Sequence, residues 1–104
     1  MGACNFIEFK EAKTAEDAFR SLCDEMTYYY GHDPYNGTIS TTSLSRRKPT
    51  TVQQTWGPLA EKKAVKLAKE NGWGEKWESR VIDCGRVKGK RGFRMWAFYG
   101  WAAC

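Results

Sequence analysis

The sequence lacks most features that mark membrane, secreted or metal-binding proteins. No apolar run approaches the roughly 18 residues of a spanning helix. Residues 1–6 show no basic segment leading into an apolar stretch, so no secretory signal is predicted. The four cysteines, Cys4, Cys23, Cys84 and Cys104, include no Cys-x-x-Cys pair. We therefore expect a soluble cytoplasmic protein with free thiols, two or three of them in the core.

Familiar catalytic motifs are missing as well. The chain has no nucleophile elbow, phosphate-binding loop, paired-carboxylate pattern or zinc-protease helix. The only histidine lies beside an aspartate, and an adjacent carboxylate can tune an imidazole for acid–base chemistry. A histidine in a turn more often holds the loop by hydrogen bonds, so we predict a structural turn made by His32, Asp33, Tyr35, Asn36 and Gly37. The sequence thus predicts binding and not catalysis.

Zinc remains an alternative, because folding could bring Cys4, Cys84 and His32 together. The spacing of these residues does not match that of known zinc sites. The sequence therefore predicts no cofactor, and structural zinc stays open as the minor possibility.

The chain is rich in aromatic residues, with five Trp, five Tyr and five Phe among 104 residues. Hydrophobic residues make up 41% of the sequence, which is enough for a packed core and argues against disorder. At this length a second independent core would be hard to stabilise. We predict one domain covering residues 1–104.

Charge is distributed unevenly along the chain. Residues 1–45 carry three basic and seven acidic side chains, whereas residues 46–104 carry fourteen basic and five acidic ones. The two parts have net charges of −4 and +9, which give the overall charge of +5. This asymmetry indicates a surface with an acidic side and a basic side.

The first part of the sequence predicts a strand at residues 3–10 followed by a helix. Thr14 begins a capping sequence with a carboxylate three positions later, and Gly31 is a typical helix-terminating residue. Apolar residues between them recur every three or four positions, which defines one face of an amphipathic helix. That face contains Ala15, Ala18, Phe19, Leu22, Cys23, Met26, Tyr29 and Tyr30.

The remaining pattern predicts one more helix and several strands. Residues 38–43 are β-branched and polar, which is typical of an exposed or edge strand. Residues 45–55 form a basic loop with a short strand near Thr51 and Val52. Pro58 begins the second helix, Asn71 and Gly72 end it, and its apolar stripe is Leu59, Ala60, Ala64, Leu67 and Ala68.

Two final strands, 80–88 and 93–102, flank a turn at residues 89–92. The order β-α-β-(loop)-α-β-β predicts an α+β fold, a two-layer sandwich with two helices packed on one face of a small antiparallel or mixed sheet. The last strand is apolar on both faces. The face carrying Trp96 and Phe98 then lies under the long loop or is open to a partner.

An exposed Trp96 beside the cations of the hairpin would match surfaces that bind single-stranded nucleic acid, where bases stack and cations contact phosphate. The candidate partner-binding residues fall in three groups. They are the basic loop (Arg46, Arg47, Lys48), the hairpin (Lys88, Lys90, Arg91, Arg94 with Trp96) and the acidic side of the first helix (Glu16, Asp17, Asp24, Glu25).

Three stretches resemble a group of small proteins encoded by phages, prophages and plasmids of Gram-positive bacteria. They are residues 30–41 (YGHDPYNGTIST), residues 98–102 (FYGWA) and residues 1–6 (MGACNF). Proteins of this size and genetic setting include anti-CRISPR inhibitors, which bind CRISPR effector nucleases or their guide complexes. The resemblance implies no catalytic residue and no residue-level site.

From this resemblance we expect a phage-type protein in the cytoplasm of a bacterial host, inhibiting a type II CRISPR effector nuclease or its guide complex. One alternative is a small single-stranded nucleic-acid-binding accessory protein that uses the basic-aromatic hairpin. A second alternative is the structural zinc protein.

Overall fold

The computed structural model of this protein describes residues 2–31 and 37–104. His32, Asp33, Tyr35 and Asn36 of the predicted structural turn lie outside the described residues. Gly37 is described, with φ at 75° and its N–H donating to the carbonyl oxygen of Ala103 at 2.7 Å.

The elements follow the predicted order, and the α+β class is confirmed. In sequence they are β1 (Ala3–Ala12), α1 (Ala15–Tyr30), a 3-10 helix (Ile39–Thr41), β2 (Ser43–Leu44), β3 (Thr50–Thr51), α2 (Pro58–Glu70), β4 (Glu78–Arg86) and β5 (Arg94–Ala103). None of the helices in residues 2–31 and 37–104 is long and apolar enough to cross a membrane.

The sheet has the order β1-β5-β4-β2, with β3 also pairing with β4. Strands β1 and β5 are antiparallel along their full length, from Ala3 opposite Ala103 to Ala12 opposite Arg94. Strand β4 is antiparallel to β5 and pairs in parallel with the short β2 and β3 on its other side. The mixed sheet is therefore a long central ribbon with one edge extended by two short segments.

The two helices lie on opposite faces of this sheet. On one face, Ala18 and Leu22 of α1 pack with Phe98 and Val81. On the other face, the alanines of α2 pack with Ile82, Cys84, Ala97 and Tyr99. The expectation of two helices on one face was wrong, because β5 is apolar on both faces and each face needs a cover. The layers are helix, sheet and helix.

Residues 38–43 form a 3-10 turn and the start of β2 instead of a continuous strand. The Thr41 hydroxyl donates to the Thr38 carbonyl oxygen at 2.9 Å, and the Thr42 hydroxyl donates to the Ile39 carbonyl oxygen at 2.7 Å. Hydroxyls that bond to nearby backbone compete with the pairing of a strand. The β propensity of these residues was therefore outweighed by local hydrogen bonds, and the turn buries Ile39 in the α1 core.

Helix α1 begins and ends where the sequence predicts. The Thr14 side chain accepts a hydrogen bond from the Asp17 N–H at 3.1 Å, and Gly31 ends the helix with φ at 70°. Tyr29 and Tyr30, assigned to the apolar face, are exposed instead. In α2, Leu59 is also exposed, although Ala60, Ala64 and Ala68 are fully buried as predicted.

Cys4 and Cys104 form a disulfide that joins the N-terminal end of β1 to the C-terminal end of β5. The expectation that all four thiols are free was therefore wrong, because strand pairing brings two distant cysteines together. Cys84 is a buried free thiol, as expected for a core residue, and Cys23 is partly buried. Because the Cys4 sulfur is in the disulfide, Cys4 cannot serve as a zinc ligand with Cys84 and His32, as the zinc alternative required. Among the described residues, no three His, Cys, Asp or Glu side chains are grouped to hold a metal.

Candidate binding surface

The connection between β4 and β5 is a hydrogen-bonded turn that presents basic side chains to solvent. The N–H of Val87 donates to the Phe93 carbonyl oxygen at 3.0 Å, and the N–H of Phe93 donates to the Lys90 carbonyl oxygen at 3.1 Å. Gly89 and Gly92 adopt positive φ angles of 84° and 82° within the turn. The turn lines an open groove of about 510 Å³, whose walls are Arg86, Val87, Gly89, Lys90, Arg91, Gly92, Phe93 and Arg94.

Two of the predicted hairpin cations already have partners within the chain. Lys90 contacts the carboxylate of Glu11 and lies 5.7 Å from the centre of the Phe93 ring. The Arg94 Nε is 3.0 Å from both carboxylate oxygens of Asp83, whose side chain is only 14% exposed. Arg94 therefore has a structural role in fixing the base of the hairpin.

A bulge in β4 orients the residue that follows it. Gly85 has φ at 99°, and a Cβ there would lie 2.6 Å from the backbone nitrogen of Thr55. The neighbouring Arg86 has its N–H bonded to the Gln54 carbonyl oxygen and its own carbonyl bonded to the Trp56 N–H, both at 2.9 Å. The backbone of Arg86 is therefore held on both sides while its side chain is exposed.

Three exposed cations of this surface have no ion-pair partner in the described parts of the chain: Arg86, Lys88 and Arg91. Together they form what we call the cationic hairpin surface. Lys88 and Arg91 were predicted as binding residues, whereas Arg86 was missed. The sequence signal for Arg86 was its place just before the turn, but only the fold shows that it lines one groove with Arg91.

Trp96 does not contribute to this surface. Its side chain is 9% exposed, and its indole N–H donates to the Ala12 carbonyl oxygen at 3.1 Å. Phe98 is fully buried, with its ring 5.8 Å from that of Phe19. The prediction that Trp96 contacts a partner was wrong, because α1 covers this face of the sheet.

The acidic side of α1 divides into exposed and partnered residues. Glu16, Asp17 and Asp24 are exposed, and Asp17 lies 3.9 Å from Arg20. Glu25 is partly buried and contacts Lys10 on β1. Glu16, Asp17 and Asp24 remain candidates for contact with a basic partner, whereas Glu25 connects the helix to the sheet.

The basic loop lies at the other end of β4. Arg46, Arg47 and Lys48 are exposed, and Arg47 is 3.8 Å from Glu75. Arg46 and Arg47 line a second open groove of about 520 Å³ with Ser43, Leu44, Ser45, Lys76, Trp77 and Glu78. Eight residue steps of about 3.3 Å along β4 separate this groove from Arg86 by about 26 Å.

The two free thiols are poorly suited to act as nucleophiles. Burial, with a smaller effect of Asp24, raises the pKa of Cys23 to about 11. Burial and the neighbouring Asp83 raise the pKa of Cys84 to about 12. Since the thiolate is the reactive form, both groups are protonated and unreactive near neutral pH.

Comparisons with protein-family models, curated proteins and solved structures found no match to this chain.

Proposed function

We propose that this protein binds a nucleic-acid-containing partner through its cationic hairpin surface, and that the partner is a guide-loaded type II CRISPR effector nuclease that it inhibits. The observation that carries the proposal is the cluster of Arg86, Lys88 and Arg91, exposed and without ion pairs to described residues. Basic side chains of this kind contact phosphates and release counterions. The choice of effector rests on the sequence resemblance alone.

The shape of the cationic hairpin surface favours contact with the sugar–phosphate backbone of a nucleic acid over recognition of its bases. The hairpin turn is held by backbone hydrogen bonds, and Arg86 is fixed by residues 54–56. Trp96 is not available for stacking. Phosphate contacts position a protein on nucleic acid without reading its sequence. We therefore expect the hairpin to recognise guide RNA by charge and shape.

The test is co-elution of the purified protein with a guide-loaded type II effector, followed by a DNA-cleavage assay. The informative variant reverses three charges, Arg86→Glu, Lys88→Glu and Arg91→Glu. A matched control makes the same charge change on the outer side of α2, at Lys62, Lys66 and Lys69, which are also exposed.

We expect the wild type and the α2 control to co-elute and to block cleavage, and the hairpin variant to lose both activities while its thermal melting is unchanged. Failure of the wild-type protein to co-elute with any type II effector tested would remove the effector assignment. Equal losses in the two triple variants would show a net-charge effect and remove the hairpin from the proposal.

A second candidate is a small single-stranded nucleic-acid-binding accessory protein. The sequence suggested this function because Trp96 was expected to be exposed, but Trp96 is buried. A different tryptophan, Trp77, is exposed in the groove beside Arg46 and Arg47 and keeps this candidate in consideration. Salt-sensitive binding of guide RNA alone, without binding of the nuclease, would favour it.

A further inference from the structure

Trp77 has an unusual backbone conformation for a large side chain. Its φ angle is 66°, in the left-handed region that glycine and asparagine tolerate better than bulky residues. The conformation is held by backbone hydrogen bonds on both sides of the residue. The backbone N–H of Trp77 donates to the Trp101 carbonyl oxygen at 2.8 Å, and the Trp77 carbonyl oxygen accepts from the Ser43 N–H at 3.0 Å. The position therefore favours a small residue, yet it carries the largest side chain.

Packing against the rest of the described chain does not explain this choice. Trp73 also has a positive φ angle, 62°, but its ring packs against the core under α2. Trp77 belongs to neither core, and its side chain is 47% exposed. Strained residues that are not needed for packing are often found at binding sites.

The groove around Trp77 has a basic rim. It includes Arg46, Arg47 and Lys76 against one carboxylate, Glu78, which lies 3.7 Å from Arg80. In the part of the chain that the structure describes, Arg46 and Lys76 have no ion-pair partner. Arg47 has only a distant contact with Glu75, at 3.8 Å between two well-exposed side chains. The groove thus offers positive charge beside an exposed indole side chain.

We infer that this groove binds single-stranded nucleic acid, with an unpaired base stacked on Trp77 and the adjoining phosphates contacting Arg46, Arg47 and Lys76. The physical reason is that unpaired bases stack on exposed aromatic rings while nearby cations neutralise the backbone. An acidic peptide would satisfy the cations but would gain nothing from the ring. The inference concerns a different surface from the hairpin; it rests on the second candidate function and specifies its site, and it does not depend on the effector proposal.

The test separates stacking from charge with two fluorescent probes of equal length and charge. One is an oligothymidylate of roughly 12 nucleotides, within the span of known single-strand sites. The other is the same phosphodiester chain without bases. Binding of each to the full-length protein is followed by fluorescence anisotropy at low salt. An acidic peptide, oligoglutamate, serves as a competitor.

The variant is Trp77→Asn, since asparagine tolerates the left-handed conformation and should keep or raise the stability. We expect this variant to bind oligothymidylate about 5- to 150-fold more weakly, the range for one lost stacked base, with an unchanged salt dependence. Trp77→Phe should retain most of the affinity. Tyr28→Ala, which removes an aromatic ring that is 85% exposed elsewhere, is the matched control and should bind as the wild type does.

The abasic probe completes the comparison. We expect the wild type to prefer the probe with bases and Trp77→Asn to bind both probes equally. An equal preference in wild type and Trp77→Asn would overturn the inference, as would loss of affinity in Tyr28→Ala to the same extent. Competition by oligoglutamate as strong as that by unlabelled oligothymidylate would also overturn it and indicate an acidic protein partner.

A second readout does not depend on affinity. Of the five tryptophan indole N–H signals in a nuclear magnetic resonance spectrum, the one absent in Trp77→Asn belongs to Trp77. We expect that signal to shift when oligothymidylate is added. Shifts confined to the other four signals would place the nucleic acid elsewhere on the protein.

Discussion

Glu8 lies on the face of β1 that α1 covers, and its carboxyl group is partly buried there. Burial raises the pKa of Glu8 above its usual 4.5, and the negative charge of Glu25 on α1 raises it further. The folded protein thus holds this proton more tightly than the unfolded chain does. The linked free energy of unfolding decreases as pH rises from 4.5 through the folded pKa, so ionised Glu8 destabilises the fold at neutral pH.

We therefore expect Glu8→Gln to be more stable than the wild type at pH 7, with the difference shrinking as the pH falls toward 4.5. The measurement is urea unfolding of both proteins across this pH range. Asp24→Asn, which changes an exposed carboxylate of α1, is the control. A Glu8→Gln advantage that is absent at pH 7, or that grows on acidification, would contradict the assigned environment of Glu8.

Some environments of individual residues could be predicted from the sequence and others could not. The cap at Thr14 and the termination at Gly31 were predictable, because both depend on residues close in sequence. The burial of Trp96 was not, because the cover comes from α1, some 75 residues earlier. Gly100 is a similar case: a Cβ there would meet the carbonyl oxygen of Glu78, a contact that no local pattern indicates.

At the scale of one element, α1 is held to the sheet mainly by its buried apolar stripe. Leu22 is 3% exposed in the core with Phe98 and Val81, whereas Tyr28 on the same helix is 85% exposed. We expect Leu22→Ala to lower the free energy of unfolding by about 2–5 kcal/mol, through lost burial and the cavity left behind.

Chemical unfolding of Leu22→Ala, with Tyr28→Ala as the control, checks which side of α1 is buried. Tyr28→Ala should change the stability by less than about 0.5 kcal/mol, as expected for an exposed site. Similar losses in the two variants would mean that the buried side of α1 is assigned wrongly.

The helical periodicity identified the buried stripe of α1 but extended it too far. Tyr29 and Tyr30 satisfy the three- and four-residue spacing, yet both are exposed. Periodicity gives the direction in which a side chain points but not whether another element lies there. The last turn of α1 has the spacing of a buried face without such a cover.

At the scale of the whole molecule, the disulfide between Cys4 and Cys104 closes the β1–β5 ribbon. The bond joins residues 100 positions apart, and the same ends are held by backbone hydrogen bonds of 3.2 Å between Gly2 and Cys104. A crosslink over so long a loop restricts the unfolded chain strongly. Its main effect should therefore be on stability and not on the shape of the fold.

We expect Cys4→Ser to lower the free energy of unfolding by about 2–4 kcal/mol relative to the oxidised wild type. Adding a thiol reductant should lower the stability of the wild type to nearly the same extent, because both cysteines are exposed. The variant itself should not respond to the reductant. Equal melting of wild type and variant under oxidising conditions would show that the bond is not formed in solution.

The amino-acid sequence by itself determined the class and order of the elements, the ends of both helices and the basic character of the hairpin. These follow from caps, turns, periodicity and charge, which act over a few neighbouring residues. Only the tertiary structure decided which face each helix covers, which cysteines pair and which cations remain available. The reason is that these outcomes depend on contacts between different elements of the fold. Such contacts bury Trp96 and pair Arg94 with Asp83, whereas the side chains of Arg86 and Trp77 stay exposed.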